Sequence, residues 1–234
     1  MLFSAHSRII RRTALGRPAP EGAERGTAMK VLALPVGQLE TNCYLLCDGE
    51  RKVCAAIDPG ADADSILDAA RENGCEICAI LLTHGHDDHV GGVEGIRKAC
   101  PGIPVYLNER DAAMQKPGME RLFPPVPDTV SYDEGDILAV GSIPVRVHAT
   151  PGHTPGSVTL EAGRLLFCGD TLFAGSCGRT DFPGGDADAM MASLRKLAVL
   201  PGDYHVLPGH METSTLQHER ESNQYMAYAM RSGK

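Results

Sequence analysis

The chain has 234 residues, of which 43% are hydrophobic and 22% are charged, and its formal net charge is −8. This length and composition are typical of one globular domain of generous size. An acidic protein gains nothing from counterion release at a phosphate backbone, so we expect no nucleic-acid partner. No apolar run approaches the roughly 20 residues that a membrane helix needs, so we expect no membrane span.

The first 28 residues differ from the rest of the chain. They are rich in Arg, poor in acidic residues and interspersed with Gly, Pro and Ala, and they lack the apolar core of a secretory signal. We predict a disordered leader over residues 1–28, or an extension upstream of a natural start at Met29, with a transit-like peptide as a further alternative. Residues 29–234 are predicted to form one folded domain. Without a secretory signal, we expect a cytoplasmic protein with free thiols.

The first part of the folded region alternates strand and helix patterns. Short apolar runs predict strands, and apolar residues at helical spacing predict helices. We expect Asp62 to cap the first helix and Gly74 to end it. In chain order, the predicted elements are strands over 29–34, 42–47 and 53–58, a helix over 63–73, a strand over 77–82, a helix over 90–100, a strand over 104–107 and a helix over 109–115.

The second part repeats this theme after a proline-rich segment. Residues 116–128 contain four prolines, so we expect a loop there, and we expect it to cover a site. Two strand-rich halves, each completed by helices, predict two packed sheets with helices outside. The predicted elements of this part are hairpins over 136–149 and 157–168, a helix over 187–200, a strand over 205–207 and a final helix over 215–230.

A cluster of polar side chains follows the predicted buried strand 77–82. His84, His86, Asp88 and His89, together with Asp87, bring three imidazoles and two carboxylates into six positions. Such a cluster is costly to assemble unless a cation lies among its members. Neutral imidazole and carboxylate are ligands of zinc, iron and manganese, so the stretch predicts a divalent cation site.

Three later motifs share one form, in which a strand ends in a glycine-assisted turn that presents a polar residue. These residues are His153 after Pro151-Gly152, Asp170 after Gly169, and His210 after Pro208-Gly209. Glycine and proline fix such a turn and let the backbone approach a bound group closely. Each motif alone is weak, but together with the histidine cluster they supply what a two-metal site needs.

The order and spacing of these residues resemble those of the metallo-β-lactamase superfamily, from about Met29 onward. The resemblance implies an α/β fold, a four-layer αβ/βα sandwich of two mixed β-sheets with helices on the outer faces. It also implies two divalent metal ions, for which zinc is our first expectation and iron or manganese are alternatives. The implied ligands are His84, His86 and His153 for one ion, Asp88, His89 and His210 for the other, and Asp170 as a bridge between them.

Within the superfamily, the segments 169–173 and 176–179 resemble the glyoxalase II-like hydrolases. Arg179 matches the position of a basic residue that binds the glutathione carboxylate in that group, so we expect it to bind substrate. Two departures limit the match to short, single-domain relatives. Only enough chain for one helix follows His210, and Glu212 stands where glyoxalase II has a Tyr.

The implied activity is hydrolysis of a small-molecule thioester or related ester by a hydroxide that bridges the two metals. We expect Asp88 and Asp170 to hold and orient this nucleophile as the catalytic carboxylates. A thioester suits a site with no obvious extra acid, because thiolate leaves without strong acid assistance. The alternative is a mononuclear iron persulfide dioxygenase, a group that the ligands His84, His153 and Asp170 and the motif at 178–182 also resemble. The sequence does not indicate an oligomeric state.

Overall fold

The computed structural model describes residues 29–232, and the predicted leader lies outside the described residues. The first sheet is mixed. Neighbouring strands among its first three pair antiparallel, whereas the third to the sixth strands pair parallel. In spatial order the strands are β1 (Met29–Val36), β2 (Thr41–Asp48), β3 (Val53–Ile57), β4 (Glu76–Leu81), β5 (Val105–Tyr106) and β6 (Thr129–Val130).

The second sheet is also mixed, and it has the spatial order β14-β13-β10-β9-β8-β7. Only its β10–β13 pair is parallel. A separate two-stranded hairpin, β11–β12, lies between β10 and β13 in the chain. The strands of this part are β7 (Ile137–Val140), β8 (Ile143–Ala149), β9 (Val158–Ala162), β10 (Leu165–Gly169), β11 (Leu172–Phe173), β12 (Ser176–Cys177), β13 (His205–Pro208) and β14 (Ser214–Thr215).

Seven helices complete the described region, and no helix within residues 29–232 has the length and apolar character needed to cross a membrane. Some are single turns, whereas α1 and α5 present buried apolar faces to the sheets. They are α1 (Ala63–Glu72), α2 (Asp87–Val90), α3 (Val93–Ala99), α4 (Glu109–Ala112), α5 (Ala187–Ala198), α6 (Leu216–Ser222) and α7 (Gln224–Ser232).

Three apolar cores define four layers. The first core packs α1 and α3 onto one face of the first sheet. The second fills the space between the sheets, where Tyr44 and Ile57 meet Val147 and Leu160. The third packs α5, α6 and α7 onto the outer face of the second sheet. The predicted four-layer αβ/βα sandwich is therefore confirmed.

Two predicted helices differ from the structure. The helix expected over 90–100 begins only at Val93, as α3, and is separated from the preceding turn α2 by Gly91-Gly92. The Gly92 amide donates to the Pro59 carbonyl at 2.7 Å. The helix expected over 215–230 is divided at Asn223, whose backbone is extended. The Asn223 side chain accepts hydrogen bonds from the backbone amides of Tyr225 and Met226, and it is therefore the N-cap of α7.

The prediction that the Asp62 side chain caps α1 is wrong. Asp62 occupies the N-cap position of α1, but its side chain makes no capping bond and accepts the Gly37 amide instead, at 2.9 Å. Four strands of two residues each have no counterpart among the predicted elements: β6, β11, β12 and β14. Runs this short carry no periodicity, so only the tertiary pairing defines them.

A buried carboxylate joins the two sheets at the end of β2 that is remote from Thr41. Asp48 accepts the Ser142 hydroxyl at 2.6 Å and the Ser142 amide at 2.7 Å, and it also accepts the amides of Glu50 and Arg51. These donors, led by Ser142, lower the pKa of Asp48 to about 2. The ionised carboxylate therefore helps to hold the turn between β7 and β8 against the first sheet.

We predict that Asp48→Asn destabilises the protein at neutral pH and that the difference from the wild type disappears in acid. The folded-state pKa of Asp48 lies below its unfolded value of 3.8, so its contribution is present above that value and is lost as the pH falls toward about 2. Thermal unfolding of both proteins between pH 7 and pH 2 measures the difference. A gap that stays constant over this range would show that the carboxylate charge is not what the four donors stabilise.

Candidate metal centre

The histidine cluster follows β4, and Asp58 at the end of the neighbouring strand β3 fixes its start. Asp58 accepts the Thr83 amide and the Thr83 hydroxyl, both at 2.7 Å. Because the Thr83 hydroxyl is committed as a donor to Asp58, its oxygen is free to accept from His84 Nδ1, which lies 3.1 Å away. This arrangement leaves His84 Nε2 as the ring nitrogen that faces the centre.

Three imidazole nitrogens converge at the first group of candidate ligands. His86 Nδ1 lies 3.1 Å from His84 Nε2 and 2.9 Å from His153 Nε2, and all three side chains are buried. His153 Nδ1 lies 2.7 Å from the Arg179 carbonyl oxygen, to which its N–H donates. The Nε2 lone pair of His153 is thereby directed at the centre. We call these three residues the first triad.

Asp88, His89 and His210 form a second triad beside the first. His210 Nε2 lies 3.1 Å from Asp88 Oδ2, and His89 Nε2 lies 3.5 Å from the same oxygen. The Thr41 hydroxyl donates to Asp88 Oδ2 at 3.0 Å. Asp58 Oδ2 lies 3.0 Å from His89 Nδ1, so one carboxylate supports the start of the cluster and its last histidine.

The Asp170 carboxylate lies between the two triads. Its Oδ2 is 3.4 Å from His153 Nε2 and 3.6 Å from His210 Nε2, and its Oδ1 is 3.5 Å from His89 Nε2. The candidate ligand atoms form three sets, and within each set the atoms lie within 4.8 Å of one another. Asp170 belongs to one set. The sets are His84 with His86 and His153, His84 with His89 and Asp170, and Asp88 with His89 and His210.

The donor chemistry fits divalent cations. Within residues 29–232, Asp170 Oδ1 and His89 Nε2 are buried atoms that find no hydrogen-bond partner, although both point at their neighbours in the centre. Leaving a buried polar atom unpaired costs free energy, and a cation between such atoms removes that cost. Imidazole nitrogens and carboxylate oxygens suit zinc, iron and manganese alike.

The pKa shifts separate ligands that stay neutral from those that stay charged. Burial, followed by the neighbouring imidazoles, lowers the pKa of His84 and takes that of His86 to about 3, so both keep a free lone pair at neutral pH. Burial opposes ionisation of Asp88 and Asp170. The hydrogen bond from His210 and the charge of His89 nevertheless hold the pKa of Asp88 well below its usual range, and His89 lowers that of Asp170.

The turn that carries His210 is held by the beginning of β2, in the other half of the chain. The Asn42 amide donates to the Gly209 carbonyl at 2.7 Å, and the Asn42 side chain donates to the carbonyls of Pro208 and Met211. Tyr44 adds its hydroxyl to the Pro208 carbonyl at 2.8 Å. His210 therefore takes its position from contacts between the two sheets as well as from its own strand.

Arg179 lies beside the first triad but is already engaged. Its guanidinium makes two hydrogen bonds of 2.7 Å to Asp181 and stacks 3.8 Å from the centroid of the Phe182 ring. Phe182 in turn lies 6.1 Å from the His86 ring, measured between centroids. An anionic substrate group would have to compete with Asp181 for this guanidinium.

The proline-rich loop also reaches His86. The Phe123 ring is fully buried, with its centroid 4.7 Å from that of His86, and the Leu122 carbonyl accepts the Asp87 amide. The loop expected over 116–128 therefore does pack over the centre. Phe123 and Phe182 together give the first triad an apolar wall.

Several polar residues of the sequence lie outside the centre. The Asp87 side chain is exposed and belongs to none of the three ligand sets. His148 pairs with Glu161 at 2.6 Å, while His205 and His218 are exposed. Supporting residues that sequence reasoning missed include Thr41, Asn42, Tyr44 and Asp111. Their partners are distant in the chain, so no local pattern identifies them.

The sequence matches the metallo-β-lactamase superfamily over residues 36–210. This stretch begins at the end of β1 and ends on His210, so it includes both triads and Asp170. The chain belongs to the metallo-β-lactamase superfamily. The resemblance inferred from the order of the ligands is confirmed, and with it the assignment to a superfamily of metal-dependent hydrolases whose fold binds divalent metals.

Three proteins are similar to this chain over most of its length. The hydroxyacylglutathione hydrolase GloC of Haemophilus influenzae is 33% identical over 210 residues, which are 85% of this chain and 98% of that protein. TTHA1623, crystallised in a di-iron-bound form, is 34% identical with a TM-score of 0.72, over 83% of this chain and 99% of that one. ETHE1 from Myxococcus xanthus is 26% identical with a TM-score of 0.74, over 88% of this chain and 92% of that one.

We predict that Gly209→Ala disrupts the second triad. An added Cβ would lie 2.4 Å from Asp170 Oδ1 and 2.7 Å from His89 Cε1, closer than non-bonded atoms can approach. Loss of a group that merely orients a metal ligand typically weakens metal binding about 10–100-fold, so displacement of these two candidate ligands should cost at least as much. Titration of the metal-free protein with zinc measures it.

Gly102→Ala is the matched control for this prediction. Gly102 also follows a proline, but an added Cβ there meets nothing within 4 Å. It should retain the zinc affinity of the wild type even if the positive φ of 84° makes the protein somewhat less stable. Unchanged zinc binding by Gly209→Ala would contradict the close approach of Gly209 to Asp170 and His89.

Proposed function

We propose that this protein is a binuclear metal-dependent hydrolase that cleaves a small thioester of the hydroxyacylglutathione type, or a related ester. The position of the Asp170 carboxylate carries the proposal, because its two oxygens lie 3.4–3.6 Å from nitrogens of both triads. A carboxylate so placed can join two metal ions in one centre. The similarity to GloC supports the hydroxyacyl thioester as substrate.

In this proposal the two triads hold one divalent ion each, and Asp170 is shared. His84 and His86 are suited to this role because their low pKa values keep both rings neutral and able to bind a cation. Asp88 and Asp170 remain ionised and offset part of the added positive charge. Zinc is our first expectation for the metal, and the di-iron form of TTHA1623 keeps iron as an alternative.

Two bound divalent ions would acidify a shared water and so supply a hydroxide nucleophile near neutral pH. Asp88 would orient this nucleophile by accepting a hydrogen bond from it, and the Thr41 hydroxyl fixes the Asp88 carboxylate for that task. The apolar rings of Phe123 and Phe182 lie beside His86, with centroid distances of 4.7 and 6.1 Å. No strong general acid is required, because the leaving group of a thioester is a stable thiolate.

Arg179 is proposed to bind an anionic group of the substrate at the rim of the centre. Its guanidinium is about half exposed, and its distance from the first triad is set by the bond between its own carbonyl and His153. Since Asp181 already pairs with it, binding would exchange one carboxylate partner for another. The gain from this exchange is small, because exposed ion pairs contribute only about 0–1 kcal/mol.

A persulfide dioxygenase is the second candidate. The motif at 178–182 and the fold similarity to ETHE1 favour it, and it would use one iron held by His84, His153 and Asp170. The second triad argues for the hydrolase, because a mononuclear site leaves Asp88, His89 and His210 converging without a cation among them.

The decisive measurement combines metal content with two reactions. We expect two metal ions per chain and hydrolysis of S-lactoylglutathione in the absence of oxygen. One iron per chain, with oxygen consumption on glutathione persulfide and no thioester hydrolysis, would replace the hydrolase by the dioxygenase.

We predict that Asp88→Asn removes one of the two ions and lowers thioester hydrolysis at least about 100-fold, since even the outer partners of metal ligands are worth 10–100-fold. Asp87→Asn is the matched control, because the neighbouring carboxylate is exposed and lies in no ligand set. It should retain both ions and the wild-type rate. Normal turnover by Asp88→Asn would rule out the binuclear mechanism.

A further inference from the structure

Asp111 is a fully buried carboxylate that the proposed reaction does not use. It lies on the single-turn helix α4, with no measurable exposure. Its Oδ1 accepts the Gly156 amide at 2.6 Å, and its Oδ2 accepts the Gly85 amide and the Thr154 hydroxyl, each at 2.8 Å. Three donors satisfy the carboxylate, so its burial is compensated by hydrogen bonds.

The three donors flank the ligands of the first triad. Gly85 lies between His84 and His86 in the chain, whereas Thr154 directly follows His153. These ligands come from different halves of the protein, after β4 and after β8. One carboxylate therefore ties together the two loops that must stay in register for the three imidazole nitrogens to converge.

The second triad is supported by a different set of residues. Thr41 donates to Asp88, Asp58 lies against His89, and Asn42 and Tyr44 hold the turn before His210. None of these contacts involves Asp111. Asp58 also supports His84 through Thr83, so it is shared by both triads, whereas Asp111 contacts only loops that carry the first triad. A change at Asp111 should therefore act on the first triad.

Asp111 packs so closely against the His153 loop that Gly156 has no room for a side chain. A Cβ added to Gly156 would lie 2.6 Å from Asp111 Oδ1 and 2.8 Å from its backbone nitrogen. Helix α4 is itself anchored, because Asn108 caps it and donates to the Tyr132 carbonyl at 2.9 Å. Asp111 consequently presents its oxygens from a fixed point.

We propose that Asp111 is a positioning residue that sets the spacing of the first triad and leaves the second triad unaffected. This inference rests on the proposed binuclear site. Replacing the carboxylate by an amide removes one acceptor oxygen and introduces an N–H group that would face the donors. The His84–His86 loop and the His153 loop would then lose their common anchor, and the metal bound between them would be held less tightly.

The test is titration of the metal-free Asp111→Asn protein with zinc, with binding measured by calorimetry. We expect one of the two ions to bind about 10–100-fold more weakly and the other to keep its wild-type affinity. Adding Asp111→Asn to Asp88→Asn identifies the affected site, because the Asp88 variant retains only the first triad intact. The affinity for the single ion that this double variant still binds should fall by the same factor.

Asp48→Asn is the matched control, because Asp48 is another buried carboxylate that accepts several backbone amides and joins the two halves. It should lower the unfolding temperature while both ions bind normally. If Asp111→Asn does not fold, Thr154→Val removes a single donor to Asp111 and should weaken the same site by a smaller factor.

Two outcomes would overturn the inference: tight binding of both ions by Asp111→Asn, or equal weakening of both. The metal readout does not depend on the substrate. Selective loss of one ion, in proteins that hydrolyse no thioester, would support Asp111 as the positioning residue and reject the proposed substrate instead.

Discussion

The convergence of five imidazoles and two carboxylates is the constraint on which the rest of this structure depends. Each of these groups prefers water, and bringing them together in a largely buried space costs free energy unless opposite charges or hydrogen bonds compensate. The protein meets this cost in two ways. Asp58, Thr83 and the Arg179 carbonyl satisfy the outward-facing ring nitrogens or lie against them, and the ionised Asp88 and Asp170 balance the histidines from within.

The sandwich architecture makes this convergence possible. Strands β3, β4, β8, β10 and β13 all end at the same edge of the two sheets, and each is followed by a residue of the centre or by one that supports it. Parallel pairing places strand ends side by side, as β3 and β4 do for Asp58 and the histidine cluster. The cores between and outside the sheets therefore serve to hold loop ends at fixed separations.

Much of the fold was predictable because its longer strands and helices have clear periodicity. The ligand candidates were recognisable for a related reason: His, Asp and Gly recur in short motifs directly after apolar strands. What the sequence could not supply was the supporting contacts. Asp111, Asn42 and Tyr44 act on partners 45, 166 and 164 positions away, and only the packed structure brings these pairs together. The bounds of two helices were mispredicted because the Gly92 amide bonds to the Pro59 carbonyl and the Asn223 side chain caps a new helix.

The distribution of the candidate ligands along the chain has a consequence for the synthesis and stability of the protein. Each triad takes two residues from the stretch 84–89 and one from beyond residue 150, so every ion held there would be a cross-link between the amino-terminal and carboxy-terminal halves. Neither triad is complete until most of the chain has been synthesised. Once both halves are present, an ion at a free concentration 100 times its dissociation constant would raise the free energy of unfolding by about 2.7 kcal/mol. Folding and metal supply would thereby be coupled, and metal scarcity would weaken the contact between the two halves along with any activity.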